Sequence, residues 1–231
     1  MSKVPVIVIS SPFSNCGKTT LSLNLAAALW TDGYDVELLA PENEKVAQFL
    51  RARQSLCQAK KLNLPMPSNI TALPDSESSE AKKVVIAVIP SENMNRYAHI
   101  FNQAHTLITL VPSVQNAFWN AADNYLNLIW NAKKHIAARG IKNANWILVP
   151  YFEKPAEGNT AQLGEFARRY GFRVSDILPY RDAYNHILEG YCAADMKQYD
   201  DVFHMSFADV YARREILRLT DFLWNTSETF K

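Results

Sequence analysis

Short runs of β-branched and leucine-rich residues alternate along the chain with longer stretches of helical periodicity. The runs cover residues 6–9, 36–39, 84–89, 107–111, 146–149 and 174–178. They are apolar with no polar alternation, the pattern of strands covered on both faces rather than one. Helical stretches fall between them at 18–31, closed near Gly33, at 44–58, at 115–139, ending at Gly140, and at 206–224, which is strongly amphipathic. This succession predicts an α/β fold, a mostly parallel sheet with helices on both faces. Residues 64–79, rich in Pro and Ser, read as a loop or mobile excursion too short for a domain linker, and no internal repeat is evident.

At 231 residues with 48% hydrophobic content, the chain can bury one sizeable core, and a single domain over residues 1–231 is expected. Lys plus Arg total 24 against 23 for Asp plus Glu, so any nucleic-acid contact must come from a local basic patch. Cys16, Cys57 and Cys192 are odd in number and widely spaced, which argues against a disulfide framework or a zinc site. A reducing cytoplasm is the expected location. Residues 1–11 lack a basic leader and a small-residue cleavage site, and no apolar run approaches the roughly 20 residues that span a bilayer. The five histidines show no metal-ligand spacing.

Chemistry concentrates between the first strand and the first helix. Gly17-Lys18-Thr19-Thr20 is the second half of a phosphate-binding loop, in which backbone N–H groups, a lysine, a magnesium-binding hydroxyl and a helix N-terminus converge on phosphates. The first half, Pro12-Phe13-Ser14-Asn15-Cys16, breaks the glycine pattern, with Pro12 where the first glycine belongs. Asn15 tolerates a left-handed conformation, so the loop can still curl into a nest. We therefore expect ATP or ADP to contact Ser14, Asn15, Cys16, Gly17, Lys18, Thr19 and Thr20, with Mg2+ on the Thr19 hydroxyl. A plain strand-to-helix turn carrying a surface lysine is the alternative. Cys16 is expected to be a small packing residue.

With these residues in place, the chain resembles the ParA/MinD family of partition and positioning ATPases, which are P-loop NTPase-like proteins. The resemblance extends over nearly the whole chain: Gly17-Lys18-Thr19-Thr20 is followed by LSLNLAAALWTDGYDVELL, similar to the family's helix, glycine and second strand. ILPYRDAYNHILEG places Pro179, Arg181 and Gly190 like the family segment that runs beside the adenine, so the resemblance implies that Pro179 and Arg181 contact nucleotide. MSFADVYARREILRL looks like the final helix of the chromosome-positioning branch.

The departures fall on chemistry. The family's intermonomer lysine aligns with Phe13, its water-orienting aspartate with Ala40, its magnesium-supporting aspartate with Val88, and its adenine-reading asparagine with Pro150. Glu42 retains the second carboxylate after strand 2, and Glu92 is the nearest acid after strand 3. Catalytic residues stay unassigned, and binding without efficient turnover is expected.

Basic residues gather as Lys133, Lys134, Arg139 and Lys142, as Arg168, Arg169 and Arg173, and as Arg213, Arg214 and Arg218. A solvated helix face accounts for such groups. The resemblance points to Arg213, Arg214 and Arg218 for nonspecific DNA binding. The leading expectation is a ParA-like nucleotide-binding protein, a homodimer that partitions or positions DNA or another cargo, with a possible adaptor protein and no membrane-spanning segment. A nucleotide-independent interaction scaffold is the alternative, and an enzyme of the dethiobiotin synthetase or cobyrinate amidase type ranks last.

Overall fold

The computed structural model describes residues 4–41, 43–74, 82–112, 116–140, 144–152, 159–195 and 205–224. In chain order the elements are β1 (Val6–Ser10), α1 (Lys18–Thr31), β2 (Asp35–Leu39), α2 (Glu44–Lys60), β3 (Ser68–Ile70) and β4 (Lys83–Val88). A 3-10 turn (Met94–Tyr97) leads into α3 (Ala98–Phe101), followed by β5 (Thr106–Pro112), α4 (Asn116–Ala138), β6 (Asn145–Phe152) and α5 (Asn159–Tyr170). The chain then runs through β7 (Arg173–Val174), β8 (Leu178–Pro179), a 3-10 segment (Asp182–Glu189) and α6 (Phe207–Trp224). The strands form an eight-stranded, mostly parallel sheet in the order β3-β2-β4-β1-β5-β6-β7, with β8 pairing β6 off this path. The α/β class expected from the alternation of apolar runs is the class observed.

By internal packing the chain divides into two compact units, residues 1–4, 19–86 and 181–221 in one and residues 5–18, 87–180 and 222–231 in the other. In the first, β2 pairs β3 in parallel, Leu38 opposite Asn69 and Leu39 opposite Ile70. The stretch expected as a plain loop thus contains a short strand, three residues whose pairing comes from the neighbouring edge rather than from their own pattern. Residues 75–79 of that stretch lie outside the described residues. Helix α1 buries Leu21, Leu23, Leu25 and Ala26 through Leu29, as a helix apolar on most sides must.

A single polar lock organises this unit. Arg53 of α2 is fully buried, and its Nη1 and Nη2 donate to Asp195 Oδ2 and Oδ1 at 2.7 and 2.9 Å. Its Nε donates to the Pro65 carbonyl at 2.7 Å and Nη1 also to the Gly190 carbonyl at 3.2 Å. Asp195 accepts in turn from the Cys192 backbone N–H. Gly190 lies against α2 so closely that a Cβ there would meet Arg53 N at 2.4 Å, and its φ of 90° is left-handed. Only glycine fits that approach. The segment it fixes reaches α1, where Cys192 Sγ donates to the Leu23 carbonyl and Ala193 N–H to Asn24 Oδ1.

In the second unit β5 is flanked in parallel by β1 and β6, with Ile7 opposite Thr106 and Thr106 opposite Asn145. The single strand expected at 174–178 is instead two short pieces, β7 and β8, both on β6. Ser175 lies at the break, its N–H still donating to the Leu148 carbonyl of β6 and its hydroxyl to the Asp176 carbonyl. Tyr125 of α4 is buried and its hydroxyl lies 2.6 Å from Ser10 Oγ and 2.7 Å from Thr109 Oγ1. This pins α4 to the last residue of β1. Burial holds the Tyr125 hydroxyl well above its ordinary range, so it stays protonated. The three cysteines are free.

Candidate phosphate site

Strand β1 ends at Ser10, and the chain turns through Ser11 to Gly17 before α1 begins at Lys18. Asn15 has φ 53° and Gly17 φ 86°, both left-handed. Alternating left- and right-handed residues are what turn successive backbone N–H groups toward one point. The curl expected of Asn15 is present. Ser11 is buried and its Oγ accepts from the Phe13 N–H at 3.2 Å, anchoring the turn's entry. Cys16 is buried with its thiol donating to the Phe13 carbonyl at 3.3 Å, so it packs, as expected, rather than reaching outward. Ser14 and Asn15 are exposed; Gly17, Thr19 and Thr20 are half-buried. Tyr151 of β6 covers the turn, leaving its ring 3.3 Å from where a Cβ on Gly17 would lie.

Lys18 is only 9% exposed. Its Nζ donates to the Phe13 carbonyl at 2.6 Å and lies 3.8 Å from Cys16 Sγ, both uncharged groups. Among the described residues no carboxylate pairs with it. A buried ammonium with neutral partners is a strong attractor for an anion.

At the start of α1, Thr19 Oγ1 accepts from Asn43 Nδ2 at 2.8 Å, and the Thr20 carbonyl accepts from Asn24 Nδ2 at 2.9 Å. Sequence reasoning missed Asn43. It immediately follows the altered Ala40-Pro41-Glu42 motif, and that adjacency was the available signal. Ala40 and Val88, which stand where acids would be, are both buried aliphatics. Glu92 is exposed, Pro150 is buried within β6, and Glu42 lies outside the described residues.

The adenine-side candidates fall on two elements. Pro179 is half-buried on β8, opposite Phe152 of β6. Arg181 precedes the 3-10 segment and its guanidinium grips Glu215 of α6, Nε to Oε2 at 2.8 Å and Nη2 to Oε1. The Glu215 hydrogen bond raises the Arg181 pKa above its already high value, against a smaller opposing effect of burial. Tyr184 also donates to Glu215, and the Arg181 guanidinium lies 5.4 Å from the Tyr211 ring centre.

Helix α6 starts with a capping box: Ser206 N–H and Oγ donate to Asp209 Oδ2, and Asp209 N–H returns to Ser206 Oγ. Burial pushes the Asp209 carboxyl up, but its bonds to Ser206 and its contact with His186 Nε2 at 2.9 Å leave it below the ordinary range. Further along α6, Arg214 and Arg218 are exposed on one face and Arg213 is half-buried. No helix among the described residues is long and apolar enough to cross a membrane.

The sheet order and a strand-turn-helix ending in Gly-Lys-Thr define the class as an α/β protein with a P-loop NTPase-like fold. A family model described as ATPase MipZ matches residues 105–224, just over half of the chain, and the chain belongs to this ParA/MinD-type family. No curated protein matches the chain in sequence. Among solved structures, the MinD cell division protein of Aquifex aeolicus is similar at 16% identity and TM-score 0.59, covering 99% of this chain and 100% of MinD. An ATP complex of Cyanothece McdA gives 12% identity and TM-score 0.60, covering 99% of each chain. A ParA family ATPase from Chlorobium tepidum gives 12% and 0.58, covering 96% of this chain and 99% of its own. At these identities the likeness is one of fold.

Proposed function

We propose that this chain is a nucleotide-binding positioning or partition protein that holds ATP or ADP with Mg2+ and hydrolyses it slowly or not at all, acting as a homodimer on DNA or another cargo. The observation that supports this reading is Lys18, a buried cation with neutral partners, at the end of a turn curled by Asn15 and Gly17. Lys18 would leave the Phe13 carbonyl for a phosphate oxygen, the amides of residues 14–20 would surround the phosphates, and Thr19 Oγ1 would reach the metal while Asn43 holds its rotamer. Magnesium, when bound, supplies charge that offsets the phosphate oxygens. Ala40 stands where the resemblance expects an acid to orient a water and Val88 where it expects one to support magnesium, and this chemistry depends on both.

The test is a titration of labelled ATP and ADP, with and without Mg2+, into wild type and Lys18→Ala. A lost charge-assisted phosphate contact costs about 2 to 5 kcal/mol, so the variant should bind at least tenfold more weakly. Wild-type turnover should be very slow, and Ala40→Asp should raise it. A wild-type rate of about one per second that survives Lys18→Ala would sink the site as drawn. The Lys18 bond to Phe13 closes the turn on itself and favours a second reading, a nucleotide-independent scaffold. Absence of any binding at millimolar nucleotide would overturn the first reading and leave the second.

A further inference from the structure

On the unit that carries residues 87–180, a cleft of about 450 Å³ opens along α4. It has the size of small-ligand sites, about 300 to 1,000 Å³. One wall presents Asn124, Asn127 and Asn131, spaced three and four apart so that they share a face of α4. Opposite them stand Asn95, from the 3-10 turn before α3, and Asn102, just after α3. Among the described residues, none of these five side-chain amides is engaged by another protein group.

The lining excludes several ligand classes. Divalent cations call for carboxylates, and the described lining has none. Nucleobases call for aromatic faces to stack between, and the described lining offers only the His135 imidazole, at one end. Its charged or chargeable groups are Lys134 and His135, both at one end. What remains is a row of primary amides, each with two donors and one acceptor, closed by positive charge.

An extended peptide backbone matches that row, because each residue offers one N–H and one C=O in alternating directions. From Asn124 to Asn131 the helix rises about 10 Å, the length of about three extended residues. Amides on both walls can then pair with both edges of one strand. The α4 wall is rigid, since Tyr125, on the helix between Asn124 and Asn127, is fixed to Ser10 and Thr109. We propose that this cleft binds an extended segment of a partner protein, with an acidic side chain of that segment directed at Lys134 and His135. The proposal is independent of the nucleotide reading.

The experiment measures fluorescence anisotropy of labelled octapeptide pools built from Gly, Ser, Ala and Thr, with Glu, Gln or Lys fixed near the centre. The full chain should bind the Glu pool most tightly. Asn127→Ala with Asn131→Ala removes two hydrogen-bonding side chains from an exposed face and should weaken binding at least about tenfold, with the melting temperature unchanged. Lys134→Ala should erase the preference for Glu over Gln, and Lys18→Ala, whatever it does to nucleotide binding, should leave peptide affinity as in wild type. The proposal is overturned if no pool binds at millimolar concentration, if the Lys pool binds as well as the Glu pool, or if the asparagine variants bind normally. Binding of the disaccharide chitobiose with no peptide binding would make the cleft a polyol site, and that also overturns it.

Discussion

Arg53 and Lys18 are both buried cations on or beside helices of the same sheet, and their surroundings differ in one respect. Arg53 meets a carboxylate, bidentate with Asp195, and two carbonyls complete its donors. Lys18 meets only the carbonyl of its own turn and a thiol. A charge whose counter-charge is built into the fold has nothing to gain from a ligand, and removing either partner strands the other. A charge held by neutral groups keeps its electrostatic demand open, and an arriving anion answers it. On the proposed reading, Arg53 is a structural cation and Lys18 one left open to a ligand.

The largest effect should come from breaking the structural side. Arg53→Met leaves Asp195 buried without a counter-charge, and we expect a loss of about 3 to 5 kcal/mol in a urea denaturation. Arg53→Met with Asp195→Leu should recover part of it, because the charges vanish together while the Cys192 N–H and the Pro65 and Gly190 carbonyls lose their partners. Gly190→Ala should cost a comparable amount, since its Cβ would collide with the backbone of Ala52 and Arg53 at 2.4 to 2.6 Å. A loss under about 1 kcal/mol for Arg53→Met would show that the lock adds no stability.

Lys133 sharpens the same contrast through pH. Its ammonium donates to the Tyr170 and Gly171 carbonyls and lies 5.0 and 4.8 Å from the Trp146 and Phe172 ring centres. Burial lowers its pKa to about 8 from an ordinary 10.5. Below pH 8 both folded and unfolded states carry the proton, and the folded state bears the full cost of the buried charge. Between pH 8 and 10.5 the unfolded chain binds more protons, so stability from this group rises with pH and levels off above. Because the side chain is only partly buried and water screens part of the effect, the rise should fall well below the full shift, about 1 to 2 kcal/mol. Other groups titrate in this window, so the measurement is the difference between wild-type and Lys133→Met stability curves; a flat difference would mean the carbonyls and rings offset the burial.

On the ligand side the expected stability change is small: Lys18→Met removes a cation that has no counter-charge among the described residues, and its stability should lie within about 1 kcal/mol of wild type or above it. The same residue should dominate nucleotide affinity. A Lys18→Met loss as large as that of Arg53→Met would collapse the contrast between the two cations.

Much of the fold was legible because strands covered on both faces leave uninterrupted apolar runs, and because Gly17-Lys18-Thr19-Thr20 sits where a strand meets a helix. What was hidden depended on distance or brevity. Arg53 and Asp195 are 142 positions apart, and nothing local marks either as a partner of the other. Asn43 lies 24 residues from Thr19, and nothing local marks it as that residue's partner. Three-residue β3 and the broken pair β7 and β8 are too short to carry a period of their own. The asparagines of α4 are periodic, but polar helix faces are common, and only a second wall makes them a cleft.

The smallest effect belongs to a third kind of cation, the exposed arginines of α6. Arg214 and Arg218 share a solvent-facing side, and Arg213, half-buried, sits at its edge. Their charge is already screened by water, so each should add little to stability and act only by displacing counterions from a polyanion. For B-DNA each neutralised phosphate contributes about 0.9 to the slope of log affinity against log salt, so Arg214→Ala with Arg218→Ala should flatten it by about 1.8 per monomer. Binding to unrelated duplexes across a salt series, with and without ATP, measures this. An unchanged slope or a sequence preference would move the DNA contact elsewhere. No binding at low salt would leave the arginines as a solvated face. Because Glu215, between them on the same helix, is held by Arg181 and Tyr184, Arg181→Ala provides the finer probe. If the stretch before the 3-10 segment at Asp182–Glu189 responds to nucleotide, losing Arg181 should remove any ATP dependence of DNA affinity while leaving the salt slope intact; retention of that dependence would assign the coupling to another path.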